Sequence, residues 1–224
     1  MTTFVFLRHA HSQANEKGVL AGRTAGVSLS KKGQKQSQFV LRNLSDVKID
    51  RIISSPIDRC IETVKPLAQM TKRRIHLDES FVEMDYGIWS GMSLKDLAKK
   101  AEWKEIQKTP ESFIFPRGEG FAQASRRIEK GLNQLAGLYP DKTLLIVSHG
   151  DVIKLAAAIT LGMQINDFQR IIVDPASVTI VVWEKKQRHL LHLNQNVGNR
   201  SIGLTLPNRA KIGQRKTLGG GGGE

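Results

Sequence analysis

A chain of 224 residues with 40% apolar and 6% aromatic content can bury one sizeable core, which excludes a wholly disordered chain. Its formal charge of +13 points to anionic partners or to a solvated basic surface, and basic residues interleaved with aromatics, the mark of a nucleic-acid platform, are missing. No apolar run of about 18 residues is present, so no membrane-spanning helix is expected.

The start, "MTTFVFLRHAHS", is charged too early for a secretory signal. The single cysteine, Cys60, excludes an intrachain disulfide and fits a reducing, cytoplasmic setting.

In chain order, "TFVFL" reads as a first strand. Ser30 is placed to cap a helix carrying Phe39, Leu41 and Leu44. "RIISS" (51–55) is a second strand, followed by a helix from Asp58 with Ile61, Val64 and Leu67 on one face and Pro66 as its end or kink. "RRIHLD" is a short strand. Ser93 and Asp96 read as a capping pair for a helix through Leu94, Leu97, Ala98 and Ala101. Helical spacing runs from Phe121 to Leu138. "TLLIVSH" is a buried strand with the helix "VIKLAAAITLG" behind it, closed by Gly162. "SVTIVVWE" and "RHLLHLN" form a hairpin at a sheet edge across "KKQ". From about Val197 the pattern dissolves into a basic, glycine-rich stretch expected to be a flexible tail (198–224) behind a domain of residues 1–197. The alternation of strands and helices implies a largely parallel α/β sheet.

Three strand ends then carry unusual chemistry. Arg8-His9 follows the first strand, Arg59 opens the helix after the second, and His149 ends the most apolar strand in "VSHGD". Ligands of open α/β sheets bind at such carboxyl ends. Two histidines and two arginines there repel one another unless an anion fills the cluster, and a phosphoryl group suits it because its oxygens need cationic donors. A neutral imidazole can attack phosphorus, and a carboxylic acid must then protonate the leaving oxygen. Glu83 in "ESFVEMDYGIWSG" is the first choice for that acid, with Asp85 and Glu79 behind it.

The segments "LRHAHSQAN", "SSPIDRCIET", "EMDYGIWSG", "PRGEGF" and "SHG", in this order over residues 2 to about 195, resemble the histidine phosphatase superfamily, also called phosphoglycerate mutase-like. "AGRTAGVSLSKKG" and the glycine-rich end also resemble a branch described only as probable phosphomutases. The resemblance implies an α/β fold, a three-layer α/β/α sandwich around a mostly parallel sheet with one antiparallel edge strand. It implies His9 as nucleophile, Arg8 and Arg59 as phosphate-binding arginines, His149 as the second histidine and Glu83 as general acid. It places Asn15 in the phosphate pocket, with Gly22 and Gly150 as the glycines beside it. No metal or other cofactor is expected. Three positions depart from the family pattern: Ala10 replaces the usual glycine and asks for φ < 0, Ala21 offers no side-chain donor, and His11 replaces a common acidic residue and reads as a turn histidine.

The activity implied is a phosphohistidine-forming phosphomonoesterase acting on a small phosphate ester. The second reading is a phosphomutase; the third, phosphoprotein dephosphorylation; the last, a non-catalytic anion-binding module. Only about thirty residues separate Gly87 from Gly118, shorter than the insertion of cofactor-dependent mutases, which favours hydrolysis. A homodimer is left open. His76, His189 and His192 lack metal-ligand spacing and read as structural, and Cys60 as an unreactive, part-buried thiol. Trp89 is expected behind the Glu83 loop, Trp103, Phe113 and Phe115 as a lid or core satellites, and Arg117 and Lys104 as surface charges within reach of a substrate.

Overall fold

The structure, a computed structural model, describes residues 1–184 and 187–199. Strands β1 (Thr2–Arg8), β2 (Arg51–Ser54), β3 (Ile75–Leu77), β4 (Thr143–Ser148), β5 (Ser177–Trp183) and β6 (Arg188–Asn196) form one sheet in the order β3-β2-β4-β1-β5-β6. β1 to β4 are mutually parallel, and the β5–β6 hairpin supplies the antiparallel edge, β5 running against both of its neighbours. Lys185 and Lys186, in the expected turn segment "KKQ", lie outside the described residues, as do residues 200–224 of the expected tail.

The central strands are apolar on both faces because both faces are covered. Successive side chains of β1 alternate: Phe4 and Phe6 enter one core, Val5 and Leu7 the other. The second core packs against α2 (Lys31–Leu44) and α3 (Asp58–Met70). The first packs against α6 (Phe121–Leu138), α7 (Gly150–Leu161) and the aromatic segment from Phe81 to Phe115. The result is the three-layer α/β/α sandwich. The short helices α1 (Gln13–Lys17), α4 (Leu94–Leu97) and α5 (Ala101–Lys108) lie in the connections. Among the described residues no helix is long and apolar enough to cross a membrane.

Local chemistry explains most boundaries. The Ser30 side chain accepts the Gly33 N–H and starts α2, and Gly162, at φ +64°, closes α7. Pro66 neither ends nor breaks α3. It has no N–H for the Glu62 carbonyl, and the Ser37 hydroxyl donates to that carbonyl at 3.3 Å instead. The buried face of α3 runs through Cys60, Val64 and Leu67, leaving Ile61 half-buried. The single helix expected around Ser93 is two short ones. Ser93 makes no side-chain capping bond, and Asp96 pairs with Lys99 at 2.9 Å rather than capping.

α2 approaches the β1–α1 loop closely enough that a Cβ on Gly33 meets the His11 carbonyl oxygen at 2.0 Å, whereas a Cβ on Gly137 in α6 meets nothing within 4 Å. Gly33→Ala is expected to destabilise the protein by about 3 kcal/mol through overpacking. Gly137→Ala should stabilise it by about 0.5–1 kcal/mol through the lower entropy cost of alanine in a helix. Urea unfolding midpoints of the two variants, moving in opposite directions, check both.

Candidate active site

The parallel ladders bring three strand ends level. Arg8 is in register with Ser148 and Ser54 with Val147. His9 N–H then donates to the Ser148 carbonyl and Ser55 N–H to the Val147 carbonyl, each at 2.9 Å. Register therefore places Arg8, His9, Ser55 and His149 side by side at the carboxyl edge of the sheet. Arg59 joins them from the first turn of α3, and α7 begins there with His149 as its N-cap.

Arg59 is only 1% exposed. Its Nε lies 3.2 Å from His9 Nε2, and its Nη2 donates to the Gly22 carbonyl at 2.9 Å and reaches His149 Nδ1 at 3.1 Å. Arg8 Nη1 donates to the Val173 carbonyl. Arg8 Nε and Arg59 Nη1 are buried without a partner among the described residues. Both belong to walls of one cleft of about 490 Å³, also lined by His9, Asn15, Gly22, Glu83 and Gly150. Unpaired buried guanidinium N–H groups beside two imidazoles are the demand of a site for an oxyanion.

The imidazoles are set by their partners. His9 Nδ1 is 2.7 Å from the Ala10 carbonyl, which can only accept, so Nδ1 carries the proton and the Nε2 lone pair accepts from Arg59 Nε. His149 Nδ1 faces the Arg59 guanidinium, a donor only, so its proton sits on Nε2, 2.8 Å from the Ser55 hydroxyl. Burial first, then Arg59, holds both histidines well below the usual imidazole range. Each is therefore neutral at neutral pH. Glu83 is pushed the other way, up to about 7, by burial and then by Asp151. Its Oε2 lies 3.6 Å from His149 Nδ1 and 4.0 Å from Arg59 Nη2, and its Oε1 accepts the Met84 N–H at 3.0 Å. A carboxyl group half-protonated near neutrality thus stands at the rim of a cationic cradle.

The remaining residues divide clearly. Asn15 is in the cleft wall, with Oδ1 taken by Ser12 in the α1 capping box, which presents its NH₂ as the available donor. Gly22 has φ +54°, and a Cβ there meets Ser90 Oγ at 2.6 Å, so a side chain is disfavoured twice over. Ala10 is absent from the positive-φ residues, as its side chain requires, and its methyl is buried in the α2–α3 core. Ala21 lines the cleft. His11 is outside the cleft lining: it is half-buried in the β1–α1 connection, with Nδ1 2.8 Å from the Ser30 hydroxyl. Asp85 is occupied, accepting the Gly87 N–H at 2.9 Å, and Glu79 lies outside the cleft lining, which leaves Glu83 as the carboxyl group in the cradle. Burial raises the Cys60 thiol to about 12, an unreactive state. Trp89, Phe113 and Phe115 are core, whereas Trp103 lines the cleft. Arg117, Lys104, His76, His189 and His192 do not line it.

Sequence reading missed the supports. The Tyr86 hydroxyl donates to Asp151 at 2.9 Å, both within motifs already singled out. Arg127 donates to the carbonyls of Glu79, Ser80 and Val82, and its Nε and Nη2 grip Glu119 at 3.0 and 2.9 Å. Arg23 joins Glu119 to the Glu83 carbonyl. Glu119 lay in "PRGEGF", but nothing in the sequence marks a helix arginine at 127 as the clamp of a loop forty residues away.

An anion entering the cradle draws both histidines toward protonation and favours neutral Glu83, so binding takes up protons. Sulfate, which does not titrate near neutrality, is expected to bind more tightly as pH falls from 8 to 6. The change is at most about tenfold per pH unit for each proton coupled. Isothermal titration calorimetry in buffers of differing ionisation enthalpy checks this, and Glu83→Gln should flatten the part of the profile near pH 7.

The comparisons with known proteins agree with this geometry. The chain is 26% identical over 196 residues to phosphoserine phosphatase 1 of Hydrogenobacter thermophilus, covering 87% of this chain and 92% of the relative. It is 27% identical over 188 residues to the probable phosphoglycerate mutase GpmB of Cronobacter sakazakii, covering 83% and 86%. Among solved structures, the alpha-ribazole phosphatase of Shigella flexneri superposes with a TM-score of 0.79 at 26% identity, over 91% of this chain and all of that one. The model of the histidine phosphatase superfamily (branch 1) matches residues 4–196, and the chain belongs to that family.

Proposed function

We propose that this protein is a phosphomonoester hydrolase that needs no metal ion and works through a phosphohistidine on His9. The observation that carries the reading is the pair of unpartnered buried guanidinium atoms, Arg8 Nε and Arg59 Nη1, on residues that line one cleft with His9, whose Nε2 faces Arg59. Two arginines supply the charge that a transferring phosphoryl group requires. In the empty cradle Arg59 Nε donates to His9 Nε2. A bound phosphate takes over that donation and frees the lone pair for in-line attack. The N–P bond forms as the P–O ester bond breaks, and the departing oxygen takes the Glu83 proton. Water then attacks phosphorus with Glu83 as base, and the N–P electron pair returns to Nε2. Asn15, Gly22 and Gly150 complete the phosphate-binding wall, and His149 accepts a proton when the dianion is in place.

Hydrolysis is favoured over mutation of phosphate position by the charge of the cleft. Besides Arg8 and Arg59, the described residues of its wall include one cation, Lys154, already 3.2 Å from Asp151, and a further acid, Asp174. A mutase must hold a bisphosphorylated intermediate, whose second phosphate has no comparable cradle among the described residues. Relatives named as phosphoserine, alpha-ribazole and other phosphatases support a small phosphorylated metabolite as substrate. The catalytic unit is residues 1–197, with 198–224 as an appended tail, and the lone buried thiol suits a reducing cytoplasm.

Two outcomes follow. Incubation with a ³²P-labelled ester should label the protein in an acid-labile, base-stable form, and His9→Ala should remove the label and lower turnover by several orders of magnitude. Label surviving in His9→Ala sinks the assignment. Since Glu83 must be protonated and titrates at about 7, kcat/KM for alkyl phosphates should fall as pH rises through that value. Glu83→Gln should cost about 10²- to 10⁴-fold on alkyl phosphates and far less on p-nitrophenyl phosphate, whose leaving group needs no proton. Equal losses on both substrates refute the acid role.

A further inference from the structure

Arg8 is held by less than Arg59. Among the described residues its side chain makes one hydrogen bond, from Nη1 to the Val173 carbonyl, while Nε stays unpartnered. The guanidinium also rests against Gly150, where a Cβ would meet Arg8 Cζ at 3.3 Å and Nε at 3.4 Å, but that contact carries no hydrogen bond to set a direction. The aim of Arg8 into the cleft therefore depends on where the Val173 carbonyl points.

That carbonyl is one end of a peptide unit. The other end, the Asp174 N–H, donates to Asn194 Oδ1 at 2.7 Å. A trans peptide is planar, so its N–H and C=O point in opposite directions and turn together. Fixing the Asp174 N–H toward Asn194 thus fixes the Val173 carbonyl toward Arg8. Rotating the peptide breaks both bonds, and a full flip aims a donor at a guanidinium that can only donate.

Asn194 suits this task by side chain and by backbone. Its amide presents oxygen to the Asp174 N–H while Nδ2 donates to the Asp174 carboxylate at 2.9 Å, so one side chain grips main chain and side chain together. An aspartate has no donor for the second bond, and an alanine has neither group. The residue lies in β6 at φ +55°, in the left-handed region that asparagine enters more readily than most residues. It stands where the register with β5 slips between Val178 and Ile180, and such slips re-aim side chains. Val173 and Asp174 line the cleft, whereas Asn194 does not.

We propose that Asn194 is a positioning residue for the anion cradle, setting the direction of the Arg8 guanidinium through the Val173–Asp174 peptide. The inference rests on the reading of Arg8 as an anion donor given above.

The test measures sulfate affinity by calorimetry on full-length protein at about pH 8, where carboxylates are ionised. Asn194→Gly, which keeps the left-handed backbone and removes the amide, should weaken sulfate roughly three- to tenfold, the size of one hydrogen bond. In an Arg8→Ala background, where Arg59 still attracts the anion, the same substitution should change affinity by less than about twofold, because nothing is left to position. Equal losses in both backgrounds mean a general effect on the fold and overturn the role. Asn194→Asp sets a carboxylate against Asp174 and should weaken sulfate at least as much as the glycine does. Adding Asp174→Asn restores the donor–acceptor match with the side-chain bond reversed and the wild-type net charge, and should return affinity to within about twofold of wild type. This exchange decides the matter should Asn194→Gly fail to fold. Affinity that the exchange does not restore, or that no substitution at Asn194 lowers, overturns the role. Wild-type protein that shows this coupling on sulfate yet releases phosphate from no ester, p-nitrophenyl phosphate included, overturns the hydrolase reading and leaves the positioning role standing.

Discussion

The structure depends on one buried cation. Arg59 carries a permanent charge at 1% exposure, and a charge so placed is costly unless its neighbours satisfy it. Each neighbour does so in a way that also serves chemistry. The Gly22 carbonyl fixes one Nη2 direction, and the two imidazoles accept from Nε and Nη2 because both are neutral. Neutrality of the histidines is in turn a consequence of the same charge, since Arg59 is the largest electrostatic influence on each. What remains unsatisfied, Nη1, is the part an anion completes. The proposed phosphate affinity and the proposed role of His9 as nucleophile thus have one physical origin.

Such an arrangement needs a mount that does not relax away from it. Parallel pairing provides the mount, because register alone sets β1, β2 and β4 level at their carboxyl ends, and apolar packing on both faces holds the register. Glu83 is not on a strand and needs a different support. Arg127 binds the carbonyls of Glu79, Ser80 and Val82 in the segment leading to it, Glu119 ties Arg127 to Arg23, and Arg23 donates to the Glu83 carbonyl. Behind the loop, Tyr86, Trp89, Phe113 and Phe115 pack edge to face, with Tyr86 and Phe115 centroids 4.9 Å apart. The acid is therefore held from both sides, by ion pairs along the chain and by aromatics beneath it.

Asp151 joins the two halves of the cleft. Its charge helps to keep the Glu83 proton in place near neutrality, its oxygens hold Tyr86 and Lys154, and it stands in the first turn of the helix that His149 caps. A single carboxylate thereby couples the protonation of Glu83 to the charge pattern of the cleft wall.

The amino-acid sequence by itself determined the alternation of strands and helices and which polar side chains follow the strands. The apolar runs of β1 and β4, the Ser30 cap and Gly162 are local signals, and they place Arg8-His9 and His149 at strand ends and Arg59 at a helix start wherever those elements lie. The resemblance to the superfamily added the roles and drew Asn15, Gly22 and Gly150 into the same site. Only the tertiary structure decided what surrounds them. The division of the helix after Ser93, the survival of α3 through Pro66, the retirement of His11 onto Ser30, and the Arg127–Glu119 clamp all depend on partners distant in sequence. So do the shifts of both histidines and of Glu83, because burial and neighbouring charge exist only once strands from opposite ends of the chain have paired. A side chain's type is written locally, but its proton affinity and its free hydrogen-bonding directions belong to the neighbours that folding supplies.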